Sequence, residues 1–125
     1  MKAPSRRKKI LLIDDSKTVL FTAKMILSDY DLVTASDGEE GVLKAISERP
    51  DLILLDVIMP RLDGFGACRR IREYETLRPL PIIMMTTRGE PHNIQEGYES
   101  GCTEYITKPF DGAELLERIR NFLGE

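Results

Sequence analysis

Two acidic residues stand side by side at the end of an apolar stretch. Residues 10–13 are all apolar and predict a buried strand, and Asp14 and Asp15 follow them directly. Two adjacent carboxylates repel each other, and the loss of surrounding water strengthens that repulsion. We therefore expect a positive charge to be held at this end of the strand.

Three more predicted strands are also followed by polar residues. Because the carboxyl ends of parallel strands meet at one edge of a sheet, which is where such folds bind their ligands, we expect these side chains to converge on the acidic pair. They are Asp56 after the third strand, Thr86 and Thr87 after the fourth, and Lys108, just before Pro109, after the fifth.

Three carboxylates at one edge, with no histidine or thiolate beside them, favour a hard cation that prefers oxygen ligands, such as Mg²⁺ or Mn²⁺. One of Asp14 and Asp15 could instead cap the helix that follows, but a cap accounts for only one of the pair. With a cation bound, Asp56 could act as a nucleophile and form an acyl phosphate. Lys108 and Thr86 could then bind phosphate oxygens.

The size and charge of the chain exclude several classes of protein. Its 125 residues fit one domain, and its apolar runs are too short for a membrane span, so we expect a cytoplasmic protein. Residues 1–9 hold five basic residues, whereas the other 116 hold 13 basic and 21 acidic residues. An acidic body argues against nucleic-acid binding by the domain. We interpret residues 1–8 as a basic, solvated tail and residues 9–125 as the domain.

The cysteines and the histidine carry no recognisable site. Cys68 and Cys102 form neither a CxxC pair nor a zinc cluster, and we expect both to be small core residues in a reducing compartment. His92 lies in a polar stretch without a second histidine or a nearby cysteine, and we expect it at the surface.

Strand-like and helix-like segments alternate along the domain. This pattern predicts a doubly wound α/β fold, in which a five-stranded parallel sheet has helices on both faces. Ser36 and Glu39 fit a capping box for the second helix, and Gly101 fits the end of the fourth. The predicted strands are 9–14, 31–35, 51–56, 80–86 and 104–107. The helices begin after Asp15, at 36, at about 64, at 91 and at 111, and the last has a stripe of Leu115, Leu116, Ile119, Phe122 and Leu123.

The ordered motifs resemble the receiver domain of two-component response regulators over residues 9–123. The matching segments are LLIDDS at 11–16, LILLDVIMPRLDGF at 52–65, PIIMMTT at 81–87 and EYITKPF at 104–110. The resemblance implies a flavodoxin-like sheet with strand order 2-1-3-4-5.

By this resemblance, Asp56 is the phosphoacceptor, and it receives its phosphoryl group from a phosphohistidine on a histidine kinase or phosphotransfer protein. Asp15, Asp56 and the backbone carbonyl of Ile58 would bind Mg²⁺, with Asp14 assisting. Lys108 would bind the phosphoryl group, and its bond to Pro109 is cis in the family. Thr86 would be the switch hydroxyl and Tyr105 the aromatic residue coupled to it.

The same resemblance implies a signalling protein that assists its own phosphorylation and dephosphorylation but is not otherwise an enzyme. Its output surface would be the fourth helix, fifth strand and fifth helix. That surface would contact a downstream protein or output domain, or a second copy once phosphorylated; the candidate contact residues are Glu96, Glu99, Tyr105, Glu117 and Arg118.

Three residues at two places depart from the family pattern. Thr87 and Arg88 follow the switch threonine where a smaller residue is common after it, and Ile58 is bulky and apolar. Because these residues border the approach to the phosphoryl group, we expect them to slow its turnover.

Three other protein classes share part of this pattern. A haloacid-dehalogenase-type phosphatase needs a second aspartate where Ile58 stands. A flavodoxin would place its flavin phosphate where Asp14 and Asp15 repel it. A degenerate receiver, which binds partners without phosphorylation, remains the alternative.

Overall fold

The computed structural model describes residues 7–86 and 91–125. The first half of the domain forms β1 (Lys9–Ile13), α1 (Lys17–Ile26), β2 (Asp31–Ala35), α2 (Gly38–Glu48) and β3 (Leu52–Asp56). The second half forms α3 (Gly64–Glu73), a 3₁₀ turn (Glu75–Leu77), β4 (Ile82–Thr86), α4 (Pro91–Ser100), β5 (Glu104–Thr107) and α5 (Gly112–Leu123). No helix within these residues has the length and apolar character needed to cross a bilayer.

The five strands pair in the order β2-β1-β3-β4-β5, and all four pairings are parallel. This confirms the predicted fold and strand order. Apolar residues of α1 and α5 pack on one face of the sheet, and those of α2 and α3 on the other. Because β1, β3 and β4 are covered on both faces, their sequences are continuously apolar rather than alternating.

Most helices begin where a short polar side chain can bind the free backbone N–H groups of the first turn. Ser16, Asp63 and Asp111 cap α1, α3 and α5 in this way. The predicted capping box at Ser36 and Glu39 is wrong by one residue.

At the start of α2 the cap is Asp37, whose carboxylate accepts the N–H of Glu40 at 2.8 Å. The Glu40 side chain then reaches back to the N–H of Ser36 at 2.7 Å. Asp and Ser cap helices about equally well, so the sequence did not decide between the two positions.

Other expectations had mixed outcomes. Cys68 and Cys102 are buried free thiols, and His92 is exposed, as predicted. Gly101 follows α4 with a φ of 107°, which suits its predicted role at the helix end. Phe122 is 36% exposed and therefore lies at the margin of the apolar stripe of α5 rather than within it.

The basic segment at the start of the chain is anchored from Arg7 onward. The guanidinium group of Arg7 donates to the backbone carbonyls of Ser28, Asp29 and Tyr30, just after α1. Residues 1–6 of the predicted tail lie outside the described residues.

Candidate functional site

The three predicted carboxylates meet at the carboxyl edge of the sheet. Asp14 follows β1 and has no exposed surface, Asp56 ends β3 and is 7% exposed, and Asp15 is exposed. One carboxylate oxygen from each lies within 4.8 Å of the others. The parallel pairing of β1 with β3 places these residues side by side, so the predicted convergence is confirmed.

Lys108 supplies the positive charge that was predicted beside Asp14 and Asp15. Its ammonium nitrogen lies 2.9 Å from a carboxylate oxygen of Asp14 and 3.3 Å from one of Asp56. The backbone N–H of Lys108 donates to the carbonyl of Thr86 at 2.7 Å, which fixes the start of the loop that follows β5. The bond from Lys108 to Pro109 is cis.

Asp14 is held through both carboxylate oxygens. One accepts the backbone N–H of Ser16 at 2.9 Å, and the other accepts Lys108. Sequence reasoning did not anticipate this pairing of Lys108 with Asp14. It leaves Asp15 and Asp56 better placed than Asp14 to contact a cation directly.

Burial and charge shift the protonation equilibria of the site. Burial, followed by the charge of Asp14, raises the pKa of the Asp56 carboxyl to about 6, although Lys108 opposes the shift. Burial alone would lower the pKa of Lys108, but its hydrogen bond to Asp14 and the charges of Asp56 and Asp14 raise it overall. The site therefore holds more negative charge than one ammonium group balances, and an added cation would relieve the excess.

The donor set fits a hard divalent cation. Carboxylate oxygens are the ligands that Mg²⁺ prefers, and it keeps several waters when only one or two carboxylates bind it. Asp15 and Asp56 are the carboxylates placed for this role. Ile58, whose backbone carbonyl was the further predicted ligand, lies two residues beyond Asp56 with its side chain 49% exposed.

The two predicted switch residues lie on neighbouring strands. Thr86 ends β4, is 1% exposed, and pairs in register with Thr107 of β5. Tyr105 lies two residues before Thr107, and therefore on the same face of the sheet. Its ring packs against α4 at Gly97, where an added Cβ would lie 2.7 Å from a ring carbon. Thr87 and Arg88, the other predicted rate-modulating residues, lie outside the described residues.

A groove in the described residues lies away from the acidic site. That groove, of about 540 Å³, is lined by Ile46, Arg49, Tyr74 and Pro79, among others, at the opposite edge of the sheet, where β3 and β4 begin.

Comparison with known proteins gives one consistent result. A family model for the response regulator receiver domain matches residues 10–120. The alkaline phosphatase synthesis transcriptional regulatory protein PhoP of Bacillus subtilis is 42% identical over 118 residues, which cover 93% of this chain but 48% of PhoP. The chain thus spans about half the length of PhoP.

Solved structures agree with the sequence matches. Chemotaxis protein CheY4 of Vibrio cholerae superposes with a TM-score of 0.88 and 35% identity, covering 94% of this chain and 100% of CheY4. The receiver domain of a sensor histidine kinase from Pseudomonas aeruginosa superposes with a TM-score of 0.89 and 31% identity, covering 96% of this chain and all of that domain. The latter structure holds a magnesium ion coordinated in its active-site cleft.

Proposed function

Because the chain belongs to the response regulator receiver domain family, we propose that it accepts a phosphoryl group on Asp56 from a phosphohistidine of a partner histidine kinase or phosphotransfer protein. The observation that carries this proposal is the position of the Lys108 ammonium group, 3.3 Å from the Asp56 carboxylate. A fixed cation beside a nearly buried carboxylate is the arrangement that an incoming phosphoryl group requires.

The transfer forms one bond and breaks one. A carboxylate oxygen of Asp56 attacks phosphorus, the P–N bond to the donor imidazole breaks, and the imidazole leaves with the electron pair and takes up a proton. With a pKa of about 6, Asp56 is mostly ionised at neutral pH and can act as the nucleophile. Lys108 pairs with a phosphoryl oxygen, and the Thr86 hydroxyl donates to another.

Asp15, Asp56 and the Ile58 carbonyl would hold Mg²⁺ or Mn²⁺, with Asp14 assisting. When bound, the cation neutralises charge on the phosphoryl group and on the attacking carboxylate. The chain itself orients the groups around it. Asp14 and Lys108 keep each other in place, and Ser16 holds Asp14 from the other side.

The signal would leave through the α4-β5-α5 surface. Movement of Thr86 toward a phosphoryl group would vacate space for Tyr105, so that phosphorylation shifts the population between two packings of this surface. Tyr105 already lines a groove there together with Ile94, Pro109 and Phe110.

The chemistry of this surface favours a partner with apolar and basic side chains. A second groove adjoins the first and is lined by Glu104, Glu114 and Glu117, with the half-exposed Phe122. Arg118 lies between the two grooves and already forms ion pairs with Glu104 and Glu114. A phosphorylation-dependent dimer through this surface would have to bring these carboxylates from two copies together, so a downstream protein or output domain is the better match.

The chain would work in the cytoplasm, where the two buried thiols stay reduced. Beyond assisting gain and loss of its own phosphoryl group, we propose no turnover of a separate substrate.

Intact-mass measurement after incubation with Mg²⁺ and acetyl phosphate tests the function. We expect a gain of one phosphoryl group, which Asp56→Asn and a metal chelator both abolish. Asp29→Asn, a change at an exposed carboxylate after α1, is the matched control and should be phosphorylated normally. Failure of the wild type with acetyl phosphate and with phosphorylated histidine kinases would favour a receiver that binds its partners without phosphorylation.

A further inference from the structure

The loop between β3 and α3 is folded tightly on itself. The backbone N–H of Gly64 donates to the carbonyl of Val57 at 2.7 Å, and that of Leu62 donates to the carbonyl of Pro60 at 2.8 Å. The first bond joins the two ends of a segment that begins directly after Asp56 and contains Ile58, and the second closes a tight turn within that segment. Movement of the loop would therefore move the backbone next to the acidic site.

This loop rests on the first residue of α2. A Cβ at Gly38 would lie only 2.0 Å from the carbonyl oxygen of Leu62. Gly38 thus permits the backbone of the loop to touch the N-terminus of the helix, a contact that any larger residue would block.

One carboxylate holds both the helix and the loop. One oxygen of Asp37 accepts the N–H of Glu40 and caps α2, while the other accepts the guanidinium group of Arg61 at 3.0 Å. Arg61 has a φ of 69°, the left-handed conformation that residues other than glycine rarely adopt. An unfavourable backbone conformation persists where surrounding contacts impose it.

We propose that Arg61 is a positioning residue for the acidic site, because its ion pair with Asp37 fixes the β3–α3 loop and with it the backbone carbonyl of Ile58. The role of that carbonyl as a cation ligand rests on the proposed function above. The effect of the ion pair on the loop does not depend on that function. The Arg61 side chain is 69% exposed and the Asp37 side chain 12% exposed, and ion pairs in contact with solvent contribute little to global stability. The effect of the pair should therefore be local and appear in the loop.

Two substitutions separate the ion pair from the helix cap. Asp37→Asn keeps an oxygen for the N–H of Glu40 but removes the negative charge that faces Arg61, since asparagine also caps helices well. Arg61→Ala removes the other partner, and Arg61→Lys keeps the charge as a matched control. Arg61→Gly suits the left-handed backbone but lacks the pair.

Hydrogen exchange in the absence of metal tests directly whether the Arg61–Asp37 ion pair holds the β3–α3 loop in place. At the amides of Leu62 and Gly64 we expect exchange to be about two- to fivefold faster in Asp37→Asn, Arg61→Ala and Arg61→Gly, the range that an exposed ion pair allows. Arg61→Lys should match the wild type. The double variant Asp37→Asn/Arg61→Ala should be no faster than either single variant, because both remove the same interaction. Wild-type exchange in Arg61→Gly, or additive effects in the double variant, would overturn the proposal.

Calorimetric titration with Mg²⁺ tests the consequence at the site. The dissociation constant should rise by about two- to fivefold in the three variants that lack the pair and stay unchanged in Arg61→Lys. Faster loop exchange with unchanged Mg²⁺ affinity would overturn the positioning role. A wild type that binds no Mg²⁺ would instead count against the proposed function. The exchange experiment would still decide whether the Arg61–Asp37 ion pair holds the loop in place.

Discussion

The ammonium nitrogen of Lys108 lies 2.9 Å from a carboxylate oxygen of Asp14, a residue with no exposed surface. Removal of one member of a nearly buried ion pair leaves the other charge without compensation, and this is more damaging than replacement of both. We therefore expect Lys108 to stabilise the fold through Asp14 and, under the proposed function, to bind a phosphoryl group beside Asp56.

A double-mutant cycle measures how much the Lys108–Asp14 ion pair contributes to the free energy of unfolding. In the presence of a chelator, Lys108→Met should lower the free energy of unfolding by about 3 kcal/mol, because Asp14 is left as an unpaired buried charge. Addition of Asp14→Asn should recover most of that loss. Urea denaturation of the four proteins gives the coupling free energy, and a coupling near zero would show that the pair contributes nothing to the fold.

The raised pKa of Asp56 predicts a pH-dependent stability of unusual sign for a carboxyl group. Because the folded-state pKa of about 6 lies above the ordinary aspartate value of 3.8, the folded chain binds an extra proton between these pH values. Without metal, the contribution of Asp56 to the free energy of unfolding should thus fall as pH rises through this window, by at most about 3 kcal/mol. Urea titrations of wild type and Asp56→Asn from pH 4 to 8 should diverge, with the variant the more stable above pH 6. Parallel curves would contradict the raised pKa.

Bound Mg²⁺ should restore part of the stability that the ionised Asp56 carboxylate removes. At ten times its dissociation constant, a ligand that binds only the folded state adds about 1.4 kcal/mol, which corresponds to a rise of roughly 3–6 °C in Tm for a domain of this size. The rise should be lost in Asp15→Asn and in Asp56→Asn. The Asp29→Asn control should keep it, and an equal shift in all four proteins would indicate non-specific binding.

The lifetime of the phosphorylated protein tests the rate-modulating residues. Ile58 lies two residues after Asp56 and is 49% exposed, and if its bulky apolar side chain borders the phosphoryl group, it should restrict the approach of water. We expect a lifetime well beyond seconds, shortened severalfold in Ile58→Ala and in Thr87→Ala, as measured by loss of label after removal of the donor. A wild-type half-life of seconds would refute the hypothesis, and unchanged kinetics in Thr87→Ala would remove Thr87 from it.

The elements of the fold were predictable because their signals are local. Continuous apolar runs between breaker residues identified the buried strands, and their alternation with helices fixed a parallel sheet. Since every such strand delivers its last residue to the same edge, the convergence of Asp14, Asp15, Asp56 and Lys108 followed from the sequence. The cap of α2 was missed by one residue, because neighbouring Ser36 and Asp37 offer the same chemistry.

Contacts between segments distant in the sequence were decided by the tertiary structure. Arg72 shows this well: its guanidinium group donates to the backbone carbonyls of Leu77, Arg78, Leu80 and Gly101, which join the end of α3 to the end of α4. Because every residue has a backbone carbonyl, the sequence does not show which carbonyls a side chain such as that of Arg72 will bind.

The sequence by itself determined which residues could do chemistry and at which edge of the sheet they gather, because strand direction and residue type are encoded along the chain. The tertiary structure decided which of those groups form ion pairs with each other and how their pKa values shift. Lys108 is closest to Asp14, burial raises the pKa of Asp56, and Asp37 holds Arg61. Each of these depends on distances and on the exclusion of water, which exist only once the chain has folded.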